Sequence, residues 1–191
     1  VGVCGVAPRP GLDIHCAVPG DHGSNMDTKM VKAGARVYLP VSVPGAGLAV
    51  GDLHACMGDG ELSGTGIETP GRICLKTTLY KDRPVSRPVI ETVEALYFTA
   101  SAVTLDDAIR LAVSDTVAFL EKKLELDFPD AYRLLSATCD IQISQVVNDL
   151  KTVRVRCPKF DTGIPTLGGA ANVQTAPDRG LSGIFALIRP A

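Results

Sequence analysis

Tryptophan is absent from the 191 residues, aromatic residues make up 5% and histidine occurs three times. With so few histidines and no GxSxG elbow, a Ser-His-Asp nucleophile system has little to be built from. The glycine-rich GELSGTG (residues 60–66) fits neither GxxxxGK[ST] nor GxGxxG, so no phosphate cradle is expected. No run approaches the ~20 apolar residues of a membrane span. The opening VGVCGVAPRPG lacks the basic start and long apolar core of a signal peptide. A net charge of -2 gives no electrostatic footprint for nucleic acid or an anionic membrane. Six cysteines, at 4, 16, 56, 74, 139 and 157, show no CxxC or CxxH spacing, and there is no Asn-x-Ser/Thr sequon. We expect them reduced and mostly buried, in a cytoplasmic protein.

What is present is concentrated in one stretch. Residues 51–68, GDLHACMGDGELSGTGIE, hold Asp52, His54, Asp59, Glu61 and Glu68 among five glycines. In an extended strand, side chains two apart share a face, which would pair Asp52 with His54 and Asp59 with Glu61. A Gly-Asp-Gly turn between them lets two acid-bearing strand ends converge. Carboxylates plus an imidazole suit a divalent metal or the orientation of a water for hydrolysis. The plain reading stands beside it: Gly-Asp-Gly is an ordinary hairpin turn, and surface acids usually face solvent. Cys56 shares the His54 face in a strand, but free cysteines are commonly inert.

A hydrophobic fraction of 46% and a charged fraction of 21% fit a globular protein with one sizeable core or two small lobes. Residues 1–24 are punctuated by Gly and Pro, and His15 and His22 fall there as ordinary loop residues. RVYLPVSV (36–43), RICLKTTLY (72–80) and VIETVEALYFT (89–99) read as strands. At Thr104 the pattern turns helical: Leu105, Ile109, Ala112, Val113, Thr116, Val117, Leu120 and Leu124 form a stripe, with Thr104 and Asp107 approximating a capping box. A second helix is expected from Pro129 to about Thr138, capped by Asp127. Residues 140–147 and 152–157 return to strand character, with Arg154 and Arg156 expected on a solvated face. Beyond Lys159 the sequence is glycine-rich and aperiodic, ending in the apolar run LSGIFALIRPA.

Several motifs resemble the acetamidase/formamidase family, in that family's order: PGDHGSNMD (19–27), LPVSVPGAGLAVGD (39–52), the 51–68 stretch, YFTAS (97–101) and DIQISQVVNDLKTVRV (140–155). The resemblance covers about residues 2–160. It implies hydrolysis of a short aliphatic amide, formamide or acetamide, to the acid and ammonia. Family members are about half as long again and carry an N-terminal part with a His-x-x-Trp-Asp element. The chain is therefore expected to be a C-terminal fragment, a processed subunit or an incomplete piece. Two other readings stay open: a non-catalytic structural or ligand-binding subunit, or a metal-dependent hydrolase of another small substrate.

On this basis we expect a mainly β protein with a sandwich or jelly-roll-like core. Residues 1–89 would form the β-rich lobe, 90–157 a smaller α+β lobe and 158–191 an irregular tail. Asp27, Asp52 and His54 would hold a divalent metal, zinc or calcium. Glu61 would transfer the proton, because its longer side chain leads into apolar Leu62 and partial burial raises a carboxylate's pKa. Asp59, at the turn, would orient. Asn25, Gly58 and Gly60 would contact the amide. Glu68, Asp140 and Gln145 form a second tier, with Asn148 in the same motif. The expected partners are the small substrate and further copies of the chain, with a separate N-terminal segment allowed.

Overall fold

The computed structural model describes residues 1–81 and 84–159, together with the backbone of strand 182–189. In chain order the elements are β1 (Val3–Gly5), β2 (Arg36–Leu39), β3 (Ala49–Gly51), β4 (His54–Cys56), β5 (Ile67–Glu68), β6 (Cys74–Lys81), β7 (Val89–Glu91) and β8 (Ala95–Ala102). They continue with α1 (Leu105–Leu124), α2 (Phe128–Thr138), β9 (Asp140–Gln145), β10 (Lys151–Pro158) and β11 (Ser182–Arg189). The fold is mainly β with two helices. Seven strands form one antiparallel sheet in the order β6-β11-β2-β7-β8-β10-β9, and two ribbons, β1-β3 and β4-β5, stand beside it.

The large sheet runs across residue 90, so strands from both sides of that position share one framework. Alternation along its strands sorts apolar side chains onto two faces. Tyr38, Val89, Leu96, Phe98, Ala100, Val153 and Val155 join one cluster with α1 and α2. Val37, Leu39, Ile90, Ala95 and Tyr97 join another with Cys4, Met26, Val31 and Ala46. The β1-β3 ribbon and its loops thus cover one face as the helices cover the other. Burying both faces explains why β8 is almost wholly buried along its length.

The helices start where the capping residues put them. Thr104 accepts a hydrogen bond from the Asp107 amide at 3.1 Å, and Asp127 accepts from the Asp130 amide at 3.0 Å. Glu125, in the left-handed region at φ 55°, ends α1. The stretch 89–99, expected as one strand, is two: a turn closed by the Thr92 amide on the Ala95 carbonyl (2.9 Å) separates β7 from β8. The tail, expected to be irregular, supplies β11 between β6 and β2. Residues 160–181 lie outside the described residues. No helix among the described residues is long and apolar enough to cross a membrane.

Two expectations need correction. Of the six free cysteines only Cys4 and Cys157 are buried, whereas Cys16, Cys56 and Cys74 are exposed on loops and peripheral strands. Arg154 does not face solvent: it is 1% exposed, on the sheet face opposite the helices. Along β10 the valines pack toward the helices, while on the other face Arg154 is buried and Arg156 stays a third exposed, paired with Asp140.

Candidate functional site

Backbone pairing assembles the site. β1 lies between two segments, with Val3 opposite Gly51 on one side and Asn25 on the other. Gly2 then sits between the two aspartates: its amide donates to the Asp52 carbonyl (2.7 Å) and its carbonyl accepts from the Asp27 amide (3.2 Å). A Cβ built on Gly2 would overlap both carboxylates, so only glycine lets them converge there. Gly2→Ala is therefore expected to force Asp27 and Asp52 apart. It should weaken binding of a divalent ion, read by titration, and cost roughly 1–3 kcal/mol of stability from overpacking.

Asp27, Asp52 and His54 each offer a ligand atom, and these atoms lie within 4.8 Å of one another. His54 Nε2 is 3.2 Å from Asp52 Oδ1, 3.2 Å from Glu68 Oε1 and 3.8 Å from Glu61 Oε1. That nitrogen has at most one hydrogen to give, and three carboxylates surround it. Gly66 packs against the ring on the Nδ1 side, where a Cβ would collide. Asp27 is 1% exposed; Asn148 donates to its Oδ2 at 3.0 Å, while Oδ1 is buried without a donor. Burial, with the Asp27 charge and hydrogen bond next, pushes the Glu61 carboxyl up to about 7.

The carboxylates reach this place through strained backbone. Asp27 (φ 43°), Asp52 (φ 57°) and Glu61 (φ 47°) occupy the left-handed region, at a cost of about 1–3 kcal/mol each. Half of the non-glycine positive-φ residues among the described positions are these site acids, the clustering that functional strain produces. Asp52 falls between β3 and β4, not inside a strand, and still meets His54 because its turn brings the two side chains together.

Asp59 and Glu61, expected on one face, part company. Gly60 (φ 95°) and Glu61 reverse the chain, sending Glu61 into the buried cluster and Asp59 away from it. Asp59 receives both hydrogen bonds of the Arg154 Nη2 fork, at 2.8 Å each, and pairs with Lys29 at 3.3 Å. Arg154 is saturated elsewhere by Gln142 Oε1 (2.9 Å), the Ile143 carbonyl (3.2 Å) and Ser144 Oγ (3.0 Å). Asp59 therefore anchors the loop that carries Glu61.

The remaining candidates divide. Gly60 is committed to the sheet: its amide donates to the Ser144 carbonyl (2.9 Å) and its carbonyl accepts from Val146 (3.1 Å), leaving no backbone group for a substrate. Gly58 is exposed and its carbonyl accepts from the Glu61 amide at 3.3 Å. Asn25 keeps a buried Oδ1 without a partner beside Asp27. Glu68 reaches His54 from the surface. Gln145 is fully buried and braces the loop carrying Asn148. Asp140 does not belong: it pairs with Arg156 (3.1 Å) at the far end of β9, roughly 17 Å along the strand from Gln145. Asn148, named with its motif, reaches Asp27, whereas Lys29 and Arg154 are contributors that the sequence did not single out.

Asp27 and His54 line a cavity of about 450 Å³ with Thr28, Lys29, Met57 and Arg72. Asp27 is the acid of that lining, Lys29, Lys32 and Arg72 are its cations, and most of the rest is apolar.

Among solved structures, the chain resembles an acetamidase from Bacillus halodurans, with 45% identity and a TM-score of 0.79 over 82% of this chain and 53% of that one. It also resembles an acetamidase from Yersinia enterocolitica, with 32% identity and a TM-score of 0.73 over 82% of this chain and 47% of that one. A formamidase from Methylophilus methylotrophus is 49% identical over 65 residues, 34% of this chain and 16% of the relative. An acetamidase from Mycolicibacterium smegmatis is 44% identical over 64 residues, 33% of this chain and 16% of the relative. The chain thus spans about half the length of the solved structures it resembles. The family model matches residues 13–159, which include every acid of the cluster around His54, and the chain belongs to the Acetamidase/Formamidase family.

Proposed function

We propose that this chain carries the catalytic site of an amidohydrolase that converts formamide or acetamide to the carboxylic acid and ammonia. The relatives named formamidase and acetamidase support the substrate class. The observation that carries the chemistry is the meeting of Asp27, Asp52 and His54 with a buried Glu61 whose carboxyl titrates near 7.

The residues fit a divalent cation. Zinc accepts imidazole and carboxylate ligands together, whereas calcium takes oxygen ligands throughout. With Glu61 ionised, Asp27 Oδ1 is a buried acceptor without a donor, which suits a positive partner. Asp27, Asp52 and His54 would hold the ion, which when bound supplies polarisation of the amide oxygen and a lowered pKa for water.

The chain's own residues supply the proton transfers. Glu61, as the carboxylate, takes a proton from the attacking water. As the acid, it returns that proton to the amide nitrogen, because ammonia leaves poorly as its anion. Burial raises the Glu61 pKa above the ordinary carboxylate range, which suits a group that both takes and returns a proton. Gly66 and the neighbouring carboxylates hold the His54 ring in place. Burial of Asp27 and Glu61 limits competing water.

Exhaustive chelation is expected to abolish formamide and acetamide hydrolysis, and added zinc to restore it. Hydrolysis that continues unchanged on metal-free protein removes the ion from this mechanism.

A further inference from the structure

The hairpin between β9 and β10 touches both halves of the site through one irregularity. Thr152 stands opposite Gln145 and Val153 opposite Ile143, so Ser144 is an extra residue, a bulge on β9. The bulge frees the Ser144 carbonyl for the Gly60 amide, which docks the Glu61 loop. On the other side, Gln145 uses its whole amide on the hairpin. Its Oε1 accepts from the Val147 and Asn148 amides, each at 3.0 Å. Its Nε2 donates to the Leu150 carbonyl (2.7 Å) and Thr152 Oγ1 (2.9 Å). Asn148 is thereby held where its Nδ2 donates to the Asn25 carbonyl (3.2 Å) and to Asp27 Oδ2 (3.0 Å).

We propose that Asn148 is a positioning residue that selects which oxygen of Asp27 is offered as a ligand. This rests on the metal-binding reading given above. Both hydrogens of the Asn148 amide are spent on fixed acceptors, so the carboxylate of Asp27 cannot turn without breaking a buried hydrogen bond. Oδ2 is occupied, and Oδ1, without a donor when Glu61 is ionised, faces the Asp52 carboxylate across Gly2. A ligating carboxylate held by such an outer partner loses typically 10–100-fold in metal affinity when the partner is removed. The Asn25 carbonyl, bonded by the same amide, ties this orientation to the strand pairing of Val3 with Asn25.

The test is zinc affinity, by competition with a chromophoric chelator, on the full chain and on Asn148→Ala and Asn148→Ser. Both remove the donor to Asp27 Oδ2 without adding a charge that would itself attract the cation. Unfolding midpoints of the zinc-free proteins are measured beside it. The expected result is a 10–100-fold weaker zinc affinity in both variants, measured at a temperature below both midpoints, where each remains folded. Variants that bind zinc as tightly as the unaltered chain, whether or not their stability falls, overturn the role of Asn148 alone. An unaltered chain that binds no zinc overturns the metal reading and this inference with it.

Discussion

Glu61→Gln is expected to lower kcat for formamide or acetamide by ~10²-fold or more while leaving KM and zinc content close to those of the unaltered protein. The amide is isosteric with the acid and removes only the proton-accepting oxygen. Steady-state kinetics with metal analysis on the same sample checks it. The pH profile carries a second signature. Glu61 must be ionised to take the proton from water, so kcat/KM should rise with pH through the Glu61 pKa, which a cation held by Asp27 draws below the metal-free value of about 7. That rising limb should vanish in Glu61→Gln. The same shift bears on stability with a definite sign. A carboxyl that holds its proton more tightly when folded than its ordinary value of 4.5 allows favours folding fully below about 4.5. That contribution fades as pH rises towards 7, so the metal-free chain should lose stability across this interval, and Glu61→Gln should lose less. If Glu61→Gln turns over normally while Asp59→Asn is inactive with its metal retained, the roles given to these two acids are reversed.

Asp59→Asn should act on the fold before it acts on the chemistry. Its carboxylate is the counter-charge of a guanidinium that is 1% exposed. Removing one member of a buried pair costs about 3–5 kcal/mol because the other is stranded. Asp59 itself is 40% exposed and shared with Lys29, so solvent reduces the loss to roughly 2–3 kcal/mol. Arg154→Met should cost more, on the order of 3–5 kcal/mol, since Gln142, Ser144 and the Ile143 carbonyl lose a donor as well. Urea unfolding measures both. At a temperature where Asp59→Asn remains folded, its pH profile should match that of the unaltered protein, with the rate lowered through a looser Glu61 loop. A variant as stable as the unaltered chain would show that the pair does not anchor the loop.

The elements legible in the sequence are those governed by neighbours within a few residues. Thr104 and Asp107 mark the start of α1, and Asp127 with Pro129 mark the start of α2, because a cap is satisfied by an amide two or three residues away. The density of acids and glycine between Asp52 and Glu68 marks the site for the same reason: the Asp52–His54 contact spans two residues. What escaped depends on partners far along the chain. Arg154 meets Asp59 across 95 residues and Asn148 meets Asp27 across 121. No local pattern distinguishes such an arginine from one that faces water.

The sequence alone therefore determined the two helices, most strand positions, the 51–68 motif and the family resemblance, since periodicity, caps and ordered motifs are written in adjacent residues. The tertiary structure decided which acids act together. Alternation placed Asp59 with Glu61, but positive φ at Gly60 and Glu61 broke the two-residue period, and Arg154 claimed the aspartate. Gly2 looked like any glycine until β1 was laid between Asp27 and Asp52, where the absence of a side chain lets two carboxylates share one small space. Strain and long-range charge pairing are properties of the folded chain as a whole, and a site built from them becomes visible only when the sheet is closed.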